Sequence, residues 1–289
     1  MTDRKYLPNI TIHPILIFFI VISFLTGTFM ELTIILGIVL WHELGHYWMA
    51  KFLNWNVEHV MLWAFGGVMK TEEYGYRSMK EDFLVTIAGP LQHVTIFLAT
   101  AFLNVGHVVS EPVIQLVFFY NTVICLFNLL PIWPLDGGKL IHLVLMKLFP
   151  YKKAYDLTIV FSMIISVCAL LLYVFLLPFN LSAFLIMFFI LYENRVEWKE
   201  RFYAFMRFLL YRYKDREVGV HPRIYPLRVH HHYFLMDVFK LFRRSYKHSI
   251  HVMDEQKRWH YFDEEECFNL YFDLKNHHLP LKAIIQKRE

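Results

Sequence analysis

The sequence predicts a multi-pass α-helical membrane protein of about six transmembrane helices, followed by a small C-terminal α/β domain on the cytoplasmic side. Three observations predict it. Hydrophobic residues make up 57% of the 289 and charged residues only 19%, with mean hydropathy +0.38, which is too apolar for a soluble domain. Apolar stretches of spanning length recur through the first two thirds of the chain. The charges are also split, with 11 basic and 12 acidic residues up to Arg195 against 18 and 13 beyond it, so a membrane-embedded front precedes a mildly basic, water-soluble tail.

A helix rising about 1.5 Å per residue needs roughly 20 apolar residues to cross a hydrocarbon core of about 30 Å. Segments 10–30, 32–50, 83–105, 113–135, 156–177 and 179–192 qualify, the last being short. Lys and Arg orient them. Loop 51–82 carries Lys51, Lys70, Arg77 and Lys80, and loop 136–155 carries Lys139, Lys147, Lys152 and Lys153, while the connections around Glu31, 106–112 and Pro178 carry none. With six spans every basic segment falls on one side, so both termini are cytoplasmic. The predicted organisation is a transmembrane domain over 1–192, a basic, aromatic-rich juxtamembrane helix over 193–221 suited to the headgroups of the lipid bilayer, and a tail domain over 222–289. The tail has no basic run longer than a pair, which disfavours direct nucleic-acid binding, and Cys125, Cys168 and Cys267 are too scattered to write a disulfide framework.

Within the second apolar stretch stands His42-Glu43-Leu44-Gly45-His46. Ionisable groups there are expensive, so a functional site is the default reading. Two histidines four apart on a helix lie about 40° apart around its axis and can reach one tetrahedral zinc. Glu43 projects near the metal's open position, where it can take a proton from a water. A catalytic zinc needs a third protein ligand, and the candidates are His13, His93, His142, Glu193 and Asp136. Asp136 stands out, because Asn128-x-x-Pro131-x-x-Pro134-Leu-Asp136-Gly137-Gly138 cannot form a regular helix. A straight helix from residue 113 would put Asp136 about 35 Å along, far from His42, so coordination requires the chain to unwind or fold back near Pro131.

These motifs, with Phe65-Gly66-Gly67 after the zinc helix and Ala88-Gly89-Pro90 in the next span, resemble the site-2 protease family of intramembrane zinc metalloproteases. The resemblance implies that His42, His46 and Asp136 hold Zn2+, that Glu43 is general base and then general acid, and that Asn128, Pro134, Phe65, Gly66 and Gly67 meet the substrate. A branch of that family serving endospore formation shares the Leu129–Lys139 wording, the six-span layout and a short tail domain. That implies a membrane-associated substrate, namely a sigma factor precursor cleaved in its pro-sequence, together with membrane-protein inhibitors. It also implies residence in the membrane surrounding the forespore with the tail facing the mother cell, and leaves room for a homo-oligomer.

In the tail the pattern reads as strand 227–229, helix 233–246, strand 249–253, strand 258–262 and helix 263–274. This β-α-β-β-α order resembles a single CBS module, which implies ATP or another adenine nucleotide as ligand, although Trp259–Glu266 departs from the module's usual Gly-Ile-Val-Thr-x-x-Asp stretch. Two other classes compete with a protease: a non-catalytic membrane sensor with a ligand-binding tail, and a metal transporter using the same His and Asp groups. Glu43 argues against both, since neither needs a general base beside the metal.

Overall fold

The computed structural model describes residues 10–12, 14–63, 66–71, 77–106, 108–176, 178, 181–214, 223–275 and 278–288. Phe65 and His13 lie outside the described residues. By contact the chain divides into two compact units, Met1–Ile141 with Ile164–Leu191, and His142–Met163 with Tyr192–Glu289. The division differs from contiguous domains meeting at 192, because residues 142–163 group with the tail.

Unit 1 opens with strand β1 (Ile10–Ile12) and helix α1 (Pro14–Thr26), where a single span over 10–30 was expected. Helix α2 (Phe29–Phe52) carries the HExxH pair. Strands β2 (Val57–Trp63) and β3 (Gly66–Thr71) form an antiparallel hairpin where a loop was expected, and β1 adds in parallel to β2, giving the order β1-β2-β3. Helix α3 (Met79–Val105) starts at an N-cap, the Ser78 hydroxyl accepting from the Glu81 backbone N–H, and packs along α2. Helix α4 (Glu111–Asn128) follows.

The expected span 113–135 ends at Asn128. Residues Leu129–Leu135 are irregular and tightly turned, with Ile132 N–H donating to the Leu130 carbonyl at 2.7 Å and Leu135 N–H to the Ile132 carbonyl at 2.9 Å. Helix α5 (Asp136–Leu148) then begins where a basic loop was expected. Gly137 permits the reversal, since a Cβ there would collide with the carbonyls of Leu129 and Leu130.

Helix α6 (Tyr151–Leu176) and helix α7 (Leu181–Lys214) complete the long helices. Among the described residues, α2, α3, α4 and α6 are long and apolar enough to cross a membrane. Their outward side chains, such as Leu98, Phe102, Phe118 and Leu172, are large and exposed, which suits hydrocarbon and not water. Helix α1 has 13 residues, and α7 runs without a break from Leu181 through the basic, aromatic-rich stretch to Lys214.

In unit 2, strands β4 (Ile224–His230), β5 (Lys247–Met253) and β6 (Trp259–Asp263) form a sheet in that order, parallel then antiparallel. Pro226 sits within β4, where an edge strand tolerates its missing N–H. His248, Ile250 and Val252 alternate inward along β5. The helix expected over 233–246 is only α8 (Leu235–Phe239). The ladder stops because the Arg243 N–H, which would continue it to the Phe239 carbonyl, donates to His248 Nε2 at 3.0 Å, while that carbonyl accepts from Phe242 N–H in a tighter turn. Helix α9 (Glu264–Phe268), a π-helical turn (Asn269–Asp273) and helix α10 (Leu281–Arg288) close the unit, the last being unforeseen.

Candidate metal centre

His42 and His46 lie one turn apart on the face of α2 that packs on α3, and both are buried. Gly89 of α3 makes room for the imidazoles, since a Cβ there would come within 2.8 Å of His42 Nε2. Asp136, at the start of α5, is buried as well and is brought to them by the reversal after Asn128. His42 Nε2, His46 Nε2 and Asp136 Oδ2 form a triangle with each side 3.1 Å. These three residues are the cluster of metal-ligating type among the described residues.

The donor set fits zinc. Tetrahedral ligands at about 2.0–2.1 Å from the ion stand about 3.3 Å apart, close to the observed sides. His46 Nδ1 lies 2.7 Å from the Val85 carbonyl, which can only accept, so Nδ1 carries the proton and Nε2 presents a lone pair. Lys139 donates to Asp136 Oδ1 at 3.0 Å, leaving Oδ2 to face the imidazoles. Lone pairs crowded at 3.1 Å repel one another unless a cation sits among them.

Glu43 is buried beside His42, and Gly67 of β3 passes over it so closely that a Cβ would lie within 2.9 Å of Oε1. Of the other candidates, His93 Nε2 lies 3.1 Å from His42 Nδ1 and stands behind that imidazole. His142 belongs to unit 2, where its Nδ1 pairs with Thr158 Oγ1 at 2.9 Å, and Glu193 lies on α7. Asn128 ends α4 with its amide donating to the Ile124 carbonyl at 3.0 Å, and Pro134 is exposed in the irregular segment. Three neighbours escaped the sequence reading. In the sequence Lys139 reads as a loop charge, Gly89 as part of a motif, and Asn121 as one of three amides in α4 with Gln115 and Asn128, so none of the three is singled out.

A profile of Peptidase family M50 matches residues 30–111 and 101–173. Stage IV sporulation protein FB of Bacillus subtilis (strain 168) is 36% identical over 279 residues, covering 96% of either chain. The chain belongs to peptidase family M50. A zinc metalloprotease of Methanocaldococcus jannaschii is 28% identical over 120 residues, 40% of this chain and 34% of that one. The solved site-2 protease from the same archaeon shares the fold at TM-score 0.53 and 23% identity, covering 65% of this chain and 90% of that one. This M50 peptidase is therefore a zinc metalloendopeptidase of the site-2 protease family and an integral membrane protein. The transporter and sensor readings give way to it.

Proposed function

We propose that this chain performs regulated intramembrane proteolysis on a membrane-tethered protein near the cytoplasmic face, with His42, His46 and Asp136 holding zinc and Glu43 as general base. The observation that carries the reading is the 3.1 Å triangle of two imidazole nitrogens and a carboxylate oxygen, with a buried glutamate one residue from a ligand. Zinc, when bound, supplies Lewis-acid polarisation of the scissile carbonyl and acidifies the attacking water. Glu43 takes the proton of that water on its carboxylate and returns it to the leaving amine. Lys139 keeps Asp136 Oδ1 engaged, so Asp136 turns a single oxygen inward. Burial of all four residues keeps bulk water from weakening these interactions.

Among the described residues strand β3 is an edge of its sheet, and an extended substrate can add to it by main-chain hydrogen bonds. Gly67, with no side chain, lets such a strand lie against Glu43, and Phe65 and Gly66 are assigned to the substrate on the family resemblance alone. Asn128 and Pro134 are assigned to the substrate's other side, where Asn128 would exchange its bond to Ile124 for one to the substrate backbone. The substrate class we propose is a sigma factor precursor held at the membrane during sporulation, supported by similarity along nearly the full chain to a sporulation protein. The tail is assigned a CBS-like regulatory role, supported by its β-α-β-β-α order, and an adenine nucleotide ligand rests on that resemblance alone. Co-expression with candidate membrane-tethered precursors tests the reading. Wild type should cleave one of them, and Glu43→Gln should keep zinc while cleavage falls about 10²-fold or more. Cleavage by Glu43→Gln at the wild-type rate would remove the general base.

A further inference from the structure

The two ligand imidazoles are held from behind in different ways. His46 gives its Nδ1 proton directly to a backbone carbonyl of α3. His42 instead turns Nδ1 to a side chain, His93 Nε2 on α3 at 3.1 Å, and His93 Nδ1 lies 2.7 Å from Asn121 Oδ1 on α4. His93 and Asn121 are both 0% exposed, so no water competes for these bonds. We infer that Asn121 and His93 form a positioning relay that sets the tautomer and ring orientation of His42, and through it the affinity of the metal site.

The protons can be placed in order from the far end. Asn121 Nδ2 donates to the backbone carbonyl of His93 at 3.0 Å. Reversing the amide would set two oxygens face to face there, so the orientation is fixed. Asn121 Oδ1 only accepts, and His93 Nδ1 must therefore carry the hydrogen. Neutral His93 then has its lone pair on Nε2, which faces His42. His42 Nδ1 must donate to it, and His42 Nε2 is left with a lone pair aimed at His46 Nε2 and Asp136 Oδ2. Each link has one consistent assignment. Without Asn121, His93 can take the opposite tautomer, and its Nε2–H would then push the proton of His42 onto the nitrogen needed for the metal. The relay crosses α2, α3 and α4, so it also ties the ligand's orientation to the packing of those helices.

This inference rests on the reading of His42 as a zinc ligand, and the test separates the two. Full-length protein purified in detergent is titrated with zinc against a competing chelator, and cobalt-loaded samples are compared by their visible spectra. His93→Leu and Asn121→Leu remove an acceptor and should weaken zinc binding about 10- to 100-fold and alter the cobalt spectrum. His93→Gln restores an acceptor to His42 Nδ1 and should recover most of the affinity. Wild-type affinity in both Leu variants, or no recovery in His93→Gln, overturns the relay while the zinc site stands. A wild-type protein that binds no zinc overturns the site itself. Should the Leu variants fail to accumulate, nitrogen NMR of histidine-labelled wild type in lipid reads the same point. His93 protonated at Nδ1 and bare at Nε2 is expected, and the reverse tautomer refutes the relay.

Discussion

Two buried polar clusters, one in each unit, differ in how their hydrogen-bond chains end. In unit 2, Arg212 gives Nε and Nη2 to the two Glu264 oxygens at 2.7 and 3.0 Å, and its remaining donors to the carbonyls of Arg243, Arg244 and Tyr246. Glu264 Oε2 also accepts from His248 N–H at 2.8 Å and from His248 Nδ1 at 3.0 Å, while His248 Nε2 accepts from Arg243 N–H. Each charge has its counterpart and each ring nitrogen its partner. In unit 1 the chain runs from Asn121 through His93 and His42 and stops at a point where three acceptors face one another. A closed network stabilises a fold, whereas an open one of lone pairs is a demand for a cation. The two clusters have similar residues and burial, so composition alone does not tell structure from chemistry. The direction of each proton does.

The largest effect should come from removing the acceptors. Wild type is expected to hold about one zinc per chain, and His42→Ala with His46→Ala to hold none and lose cleavage. Stoichiometric zinc in that double variant would place the metal elsewhere. Asp136→Asn keeps the volume but weakens the third donor, so metal analysis should find zinc reduced and cleavage lost.

Breaking the closed network should act on stability instead. Arg212→Ala leaves Glu264 buried without its cation and should cost about 3–5 kcal/mol in unfolding of the tail, with zinc stoichiometry unchanged. Replacing the pair together, as Arg212→Met with Glu264→Leu, should cost less than Arg212→Ala alone, because no charge is stranded. A double variant as damaged as the sum of its parts would show that the pair contributes through something other than its mutual compensation.

The smallest effect is a pH dependence of tail stability. Burial, and with it the charges of Arg212 and Arg243, holds the His248 pKa below its ordinary value of 6.5, against the opposing pull of Glu264. Burial would raise Glu264, but the hydrogen bond from His248 and the Arg212 charge override it and hold its pKa below 4.5. Both depressed groups bind protons more readily when unfolded. Their contribution is therefore complete above about pH 6.5 and fades on acidification, first as His248 protonates in the unfolded chain and then below about pH 4.5 through Glu264. Urea unfolding monitored at tail tryptophan Trp259 between pH 7 and 4 should show this two-stage loss, and His248→Phe should shrink the upper stage.

Legible in the sequence are the apolar helices, the one-turn spacing that puts His42 and His46 on one face, and the break around Pro131 and Pro134 that ends the preceding helix before Asp136. All three follow from local backbone periodicity and from residues that cannot continue it. In the tail, the alternation along β5 and β6 was legible for the same reason. The motif called for a fold-back near Pro131, but that a new helix starts directly at Asp136 shows only in the folded chain, where Gly137 lies so close to the carbonyls of Leu129 and Leu130 that a Cβ would collide with them. The fold likewise shortens the expected helix 233–246 to Leu235–Phe239, because the Arg243 N–H that would continue the ladder donates to His248 Nε2 on β5. The relay behind His42 was illegible for the same physical reason. His93 and Asn121 are separated by 28 residues and lie on different helices, so neither position advertises the other until the helices pack and bring their buried polar atoms together beside His42.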